Sequence, residues 1–522
     1  MKSLLQELGE PTSRRQFISS AAALALFAKT APLAGQGGME SLREKLAADP
    51  QRPRYHFLPP ANWMNDPNGP LQWNDDYHLF YQYNPNGAFW GTMHWGHARS
   101  KDLVHWEHLP IALAPTPGGP DKGGVFSGSA FVNQGVPTLV YTGVDPEVQC
   151  LATSEDMIHW TKISANPVIA GPPAQLRVTG FRDPSVWKEG NNWLMTIGAG
   201  FRGKGGAVLL YRSKDAIHWD YLHTLCEGPA FVSQPSKDWP ADDPVTTGEM
   251  WECPDFFPLG EKHTLLISTQ GFVFYLIGVY RDRKLYSEVL GRVDLGGHLY
   301  AAKSMPDNKG RRILWGWIRE ARSEAAYRAA GWAGVMALPR VLSLGPDGLL
   351  GIEPAQELKA LRQNHRRTAN VSVTPSTSVL PEQLRGDALE ILAEFDPGDA
   401  EEFGLRVRCA PDGSEQTLVL CNYKEKRLYL DCRQSSLSPD VQRDIQGGQF
   451  ELKPGEPLRL QVFLDGSVIE VFASRRACLT ERIYPTRADS LGVTALARGG
   501  TARLLSLDVW ELRPISPDRL TS

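Results

Sequence analysis

The chain has 522 residues, 42% of them hydrophobic, and a formal net charge of −4. That length exceeds what one hydrophobic core ordinarily serves, so two domains are expected. The balance of charge supplies no basic field, which argues against nucleic acid as a partner.

At the N-terminus Ser13-Arg14-Arg15-Gln16-Phe17-Ile18 precedes an apolar run from Ala21 to Ala28, too short to span a bilayer. Residues 1–40 therefore resemble an export signal of the twin-arginine type and are set aside from the fold. Its removal would leave no integral membrane segment, with the protein in the periplasm or outside the cell. Pro32-Leu33-Ala34 fits a cleavage site only in part, so retention of the signal stays open. Substrates of that route fold before crossing, which matches the cysteines. There are seven, an odd number, with no Cys-x-x-Cys pair and no zinc spacing. They read as buried thiols, except Cys253, which adjoins Glu252 and could tune it as a weak donor. No metal and no organic cofactor is implied.

Three acidic signatures mark residues 50–350: Trp63-Met64-Asn65-Asp66-Pro67-Asn68-Gly69, Arg182-Asp183-Pro184 and Trp251-Glu252-Cys253-Pro254-Asp255. Proline disfavours helical geometry in the residue before it, so Asp66 and Asp183 are expected in extended or turn backbone, and the Glu252 segment in extended backbone. Two carboxylates acting as nucleophile and acid/base are the usual means of breaking a glycosidic bond.

Between these signatures a motif repeats. Ser100-Lys101-Asp102-Leu103-Val104-His105-Trp106 returns as Ser154-Glu155-Asp156-Met157-Ile158-His159-Trp160 and as Ser213-Lys214-Asp215-Ala216-Ile217-His218-Trp219. The period of about 55 to 60 residues suits a four-stranded unit and predicts about five propeller blades over residues 55–345. Short β-rich runs such as Thr138-Leu139-Val140-Tyr141-Thr142 lie between the copies. Equivalent positions in separate blades point to separate places, so the His-Trp pairs read as turn residues and not as metal ligands. Inner strands of a radial array converge on one axis, which would bring Asp66, Asp183 and Glu252 to one funnel.

Beyond Gly351 the texture changes. Residues 351–365 read as a short polar helix or linker, and residues 366–515 alternate as strands of a β-sandwich. Asp465 and Glu470 fall there, and a hairpin around Asp465-Gly466 accounts for them better than catalysis. The fold class expected is therefore all-β: a five-bladed β-propeller followed by a C-terminal β-sandwich.

The block Trp63 to Gly69, with Arg182-Asp183-Pro184 and Glu252-Cys253-Pro254 in that order, resembles glycoside hydrolase family 32, the invertases, levanases, inulinases and fructan exohydrolases. Phe80-Tyr81-Gln82-Tyr83-Asn84-Pro85, Phe126-Ser127-Gly128-Ser129, Tyr300-Ala301-Ala302-Lys303, Arg312 to Trp317, Leu338-Pro339-Arg340 and Ile469-Glu470-Val471-Phe472 extend the likeness over roughly residues 50 to 515. The resemblance implies a retaining β-fructofuranosidase acting on sucrose or a fructan. Asp66 would be the nucleophile, Glu252 the acid/base, and Asp183 the acid that binds sugar hydroxyls, with Arg182 holding Asp183 and the sugar. Trp251 and Asp66 would raise the pKa of Glu252. Asn65, Gln82, Trp90 and Ser127 would line the fructosyl subsite; Phe126, Trp317 and Trp332 could equally be core. The chain departs from the family at His298-Leu299-Tyr300, where many members have Asp-Phe-Tyr, so the mouth of the funnel differs and sucrose, levan and inulin are not separable. A fructosyltransferase and a silent fructan-binding protein are the competing readings.

Overall fold

The computed structural model describes residues 36–228, 248–375 and 384–516. The twin-arginine segment expected within residues 1–40 lies outside the described residues as far as residue 35. The next residues, Gln36–Ala48, form a helix. Leu42 and Leu46, four apart and so on one helical face, pack onto the core beside Gly331. No helix among the described residues is long and apolar enough to cross a membrane.

The protein is all-β, as expected. Residues 62–354 make five antiparallel sheets whose first strands are Asn62–Trp73, Val125–Asn133, Val178–Glu189, Glu252–Leu259 and Leu299–Pro306. Each first strand packs on the next, and the fifth packs on the first, so the five surround a common axis. Trp332–Ala333, from the long connection in the fifth sheet, pairs in parallel with Asn62 and Trp63 and ties the last sheet to the first.

The repeated motif is a turn. Asp102 Oδ1 accepts from the amides of Val104 and His105, and its Oδ2 meets His105 Nδ1; Asp156 and Asp215 do the same for residues 158–159 and 217–218. The residue after each aspartate sits at positive φ: Leu103 at 68°, Met157 at 63° and Ala216 at 66°. A bulky residue tolerates that region only when neighbours enforce it, and here the carboxylate does. Hydrogen bonds from the side chain and amide of His159 hold the Asp156 carboxyl below its usual range.

The stretch 351–365, expected as a short polar helix or linker, does contain a short helix. Leu350–Pro354 is the last strand of the fifth sheet, Gln356–Leu361 is a 3-10 helix with Leu358 and Leu361 buried, and Arg362–Val373 already belongs to the next sheet. Gln356 and Lys359 of the helix face outward while Leu358 and Leu361 anchor it. Two six-stranded sheets then stack around a core of Leu, Val, Ile and Phe, including Phe395, Phe403, Val462 and Leu504.

Asp465 does lie at a hairpin, opposite Val468, yet neither it nor Glu470 is solvated. Asp465 accepts from the amides of Arg54, Tyr55 and His56 at 2.7, 2.8 and 2.9 Å. Glu470 takes the Leu338 amide at 2.8 Å and Arg340 Nη2 at 2.7 Å, while Arg340 Nη1 reaches Asp294 at 2.8 Å. His56 lies between Asp465 and Glu470 at 2.9 and 3.0 Å. Burial works against its charge, but hydrogen bonds with Asp465 and Glu470 raise His56 above its ordinary value. These groups fasten the five-sheet unit to the sandwich.

Candidate active site

Each inner strand carries an irregularity at the residues singled out by sequence. The ladder shifts register between Met64 and Pro67, between Phe126 and Gly128, opposite Arg182 to Ser185, between Glu252 and Asp255, and between Tyr300 and Lys303. Three of these segments contain Asp66-Pro67, Asp183-Pro184 and Cys253-Pro254, and proline, having no N–H to give the ladder, is found in sheets mainly at such bulges. Asp183, Cys253 and Ala301 adopt φ of 65°, 50° and 53°. Asp183 and Glu252 lie in strands, as expected of their segments, with left-handed φ at Asp183 itself and at Cys253, just after Glu252. Each such residue costs on the order of 1 to 3 kcal/mol and persists because its surroundings impose it. Gly198, paired with Arg182, shows how tightly: a Cβ there would stand 2.4 Å from the carbonyl oxygen of Trp251.

The bulges turn three acids to one place. Asp66 and Asp183 are 0% exposed and Glu252 is 5% exposed. Ser127 Oγ donates to Asp66 Oδ2 at 2.6 Å, and Asn65 Nδ2 to Asp66 Oδ1 at 3.0 Å. Trp63 Nε1 fixes the Asn65 amide at 2.8 Å. Cys253 Sγ lies 3.6 Å from Asp66 Oδ2 and 3.4 Å from Asp183 Oδ2, and the Cys253 amide donates to Asp183 Oδ2 at 2.9 Å. The thiol thus sits between the two aspartates, and not, as expected, chiefly against Glu252. Burial, followed by the charges of Asp183 and Asp66, pushes its pKa well up, so it stays a proton donor.

Glu252 is held from both flanks. Arg182 Nε and Nη2 donate to its Oε1 at 3.0 and 2.9 Å, and Tyr300 Oη donates to Oε2 at 2.6 Å. Arg182, expected beside Asp183, directs its guanidinium at two other carboxylates, since Nη1 reaches Glu147 Oε1 at 2.8 Å. Trp251, expected to desolvate Glu252, packs instead with Leu194, Val208 and Leu265 in the core between the third and fourth sheets. Adjacent strand residues face opposite ways, which separates the two side chains.

The aromatic candidates also sort. Trp90 and Phe126 meet edge to face at 5.9 Å, Trp317 meets Trp63 at 5.8 Å, and all four belong to one cluster with Tyr327. Gln82 Nε2 is spent on the Val125 carbonyl at 3.1 Å, at the mouth of the Ser127 bulge. Trp332 is a core residue, 1% exposed, with its Nε1 on Asp49. His298 pairs with Glu481 of the sandwich, which also takes the Gly297 amide. Sequence reasoning missed Glu147, Thr142, Tyr300 as a partner of Glu252, and Trp63 as a brace for Asn65. Of these, Tyr300 and Trp63 lay in its motifs and Thr142 at the end of a run read only as strand, while Glu147 lay in no segment it had marked.

A model of the N-terminal domain of glycosyl hydrolases family 32 matches residues 56–354, and one of the family's C-terminal domain matches residues 357–511. Sucrose-6-phosphate hydrolase of Escherichia coli is 36% identical over 509 residues, spanning 92% of this chain and 98% of that protein. Raffinose invertase of Escherichia coli is 35% identical, spanning 91% and 98%. Among solved structures, fructan 1-exohydrolase IIa from Cichorium intybus superposes with a TM-score of 0.79 at 28% identity, covering 89% of this chain and 98% of that one. Likeness on this scale, across both halves and in the same order, leaves one assignment: the chain belongs to glycosyl hydrolase family 32.

Proposed function

We propose that this glycoside hydrolase, a fructosidase of its family, removes terminal β-D-fructofuranosyl residues from sucrose or a fructan with retention of configuration, through a covalent fructosyl-enzyme. The observation that carries the reading is the meeting of Asp66, Asp183 and Glu252, from three inner strands, around the Cys253 thiol and the Arg182 guanidinium.

Asp66 attacks C2 of the fructosyl unit, its carboxylate oriented by the Ser127 and Asn65 hydrogen bonds. Glu252 gives its proton to the departing glycosidic oxygen, then takes one from the water that releases fructose. Asp183 binds ring hydroxyls and favours the positive charge that develops between these steps. The Trp90, Phe126, Trp63 and Trp317 cluster offers an apolar wall for the ring, and Asn65 and Gln82 are amides beside it. Export by a twin-arginine route is part of the same proposal, carried by Ser13 to Ile18 and the following apolar run.

Two measurements test it. Release of free fructose from sucrose, levan and inulin identifies the substrate, and transfer products at high sucrose would favour a fructosyltransferase. Mass spectrometry of quenched E252Q with an activated fructoside should find a fructosyl adduct on Asp66. An adduct elsewhere, or an inverted product seen by NMR, overturns the mechanism.

A further inference from the structure

The connection between Val136–Gly143 and Val148–Thr153 in the second sheet reaches across to the Arg182 bulge of the third. Glu147 of that connection, with Thr142 and Gln149 of the strands it joins, makes three hydrogen bonds to the backbone of Phe181 and Asp183. Glu147 Oε2 accepts the Phe181 amide at 2.6 Å, Gln149 Nε2 donates to the Phe181 carbonyl at 3.0 Å, and Thr142 Oγ1 accepts the Asp183 amide at 3.0 Å. Thr142 Oγ1 in turn donates to Gln149 Oε1 at 2.8 Å. Two of these tasks are done by neutral side chains, and accepting one amide needs no charge either. The carboxylate at 147 has a second use: its Oε1 takes Arg182 Nη1 at 2.8 Å, while Nε and Nη2 of the same guanidinium hold Glu252. One cation is shared by two acids.

We propose that Glu147 is a positioning residue that, by drawing on the Arg182 guanidinium, keeps Glu252 protonated to a higher pH than Arg182 alone would allow. The inference rests on the reading of Glu252 as acid/base. A positive group at hydrogen-bond distance favours the carboxylate over the acid, which opposes proton donation. A second carboxylate on the same guanidinium offsets part of that effect. Tyr300 from the fifth sheet also donates to Glu252, with Arg319 over the Tyr300 ring; Asp183 and Asp66 stand at Cys253, next in the chain, and Lys303 reaches the Pro254 carbonyl. All of them remain when Glu147 is changed. Glu147 is 26% exposed at its side chain, so water screens part of its influence and the effect is moderate.

The test is the pH dependence of kcat/KM for sucrose in wild type, E147Q and E147D. Gln keeps the volume and one of the two acceptor oxygens but removes the charge, leaving Arg182 to act on Glu252 alone. The alkaline limb, where the acid loses its proton, should move to lower pH by about 0.5 to 1 unit. E147D, which keeps the charge, should move it by less than half as much even where kcat falls. Should E147Q not fold, E147A at this partly exposed position gives the same readout. A limb that stays in place in E147Q, or moves upward, overturns the proposal and leaves Glu147 a backbone clamp. E252Q separates the two levels: if it retains the wild-type alkaline limb, the acid/base assignment itself fails, whereas a flattened limb in E252Q with no shift in E147Q defeats only the role of Glu147.

Discussion

Two groups of acids are buried in this protein, and they are held by different kinds of partner. Where the five-sheet unit meets the sandwich, Asp294, Asp465 and Glu470 are bound by Arg340, His56 and regular backbone amides. Burial opposes the charge of Glu470, but Arg340 and His56 keep its carboxyl below the usual range. Around the axis, Asp66 is met by a hydroxyl, an amide and a thiol, on strands whose backbone is bent out of register. Removing a buried partner strands a charge, so the interface acids act through stability. Strain of the kind found at Asp183 and Cys253 gathers at working sites, which sets the axial acids apart from those of the interface.

Paired substitutions break the comparison most sharply. D66N should cost at least about a thousandfold in kcat with a melting temperature close to wild type, whereas D465N should keep kcat per folded molecule and lose stability. Steady-state kinetics with a thermal melt on each variant checks this. A large drop in kcat for D465N with an unchanged melt would erase the distinction.

Next in size is Arg340. R340M leaves Asp294 without its cation and Glu470 with His56 alone, and should destabilise by about 3 to 5 kcal/mol in urea unfolding, while R340M/E470M should recover part of that loss. Recovery is expected because an apolar pair of similar volume often replaces a buried ion pair without penalty, although His56 then keeps only Asp465.

How far the sequence revealed these two groups depends on the range of the interaction. The catalytic candidates were legible because each acid sits beside a proline or an aromatic in a short run, and because the His-Trp repeat announces its turn in seven adjacent residues. The interface was not. His56 and Asp465 are 409 residues apart, and nothing near Asp465-Gly466 distinguishes a buried acceptor from a solvated hairpin acid. The same limit hid Glu147 and the direction of Arg182, since which carboxylate a guanidinium meets is decided by the packing of neighbouring sheets. Positive φ at Asp183 and Cys253 was also out of reach, because the residue before proline is ordinarily extended and only the bulge forces it elsewhere.

Within the site, Tyr300 sharpens the contrast between neutral and charged partners. Y300F removes a hydroxyl that donates to Glu252 at 2.6 Å and should lower kcat/KM by about tenfold to a hundredfold, with the melting temperature little changed. An effect on stability alone would place Tyr300 with the interface residues in kind.

The smallest effect expected is in the sign of two pH dependences. His78 Nδ1 and His97 Nε2 are 3.0 Å apart in the first sheet, and burial lowers His78 to about 4 and His97 well below its ordinary value. A histidine whose folded pKa is depressed adds stability above the unfolded value of about 6.5, and that stability is lost as pH falls toward the folded value. His56 is the opposite case: with its folded pKa raised, its contribution is complete below about 6.5 and is lost as pH rises through the folded value. Urea unfolding at about pH 7 and about pH 4.5 should therefore show wild type losing stability toward acid, and H78Q losing less by about 1 to 2 kcal/mol. H56Q should show the reverse, with its deficit relative to wild type larger at the acid end. If H78Q and H56Q changed the slope in the same direction, the imidazole between two carboxylates and the imidazole against another imidazole would not differ in the way their surroundings require.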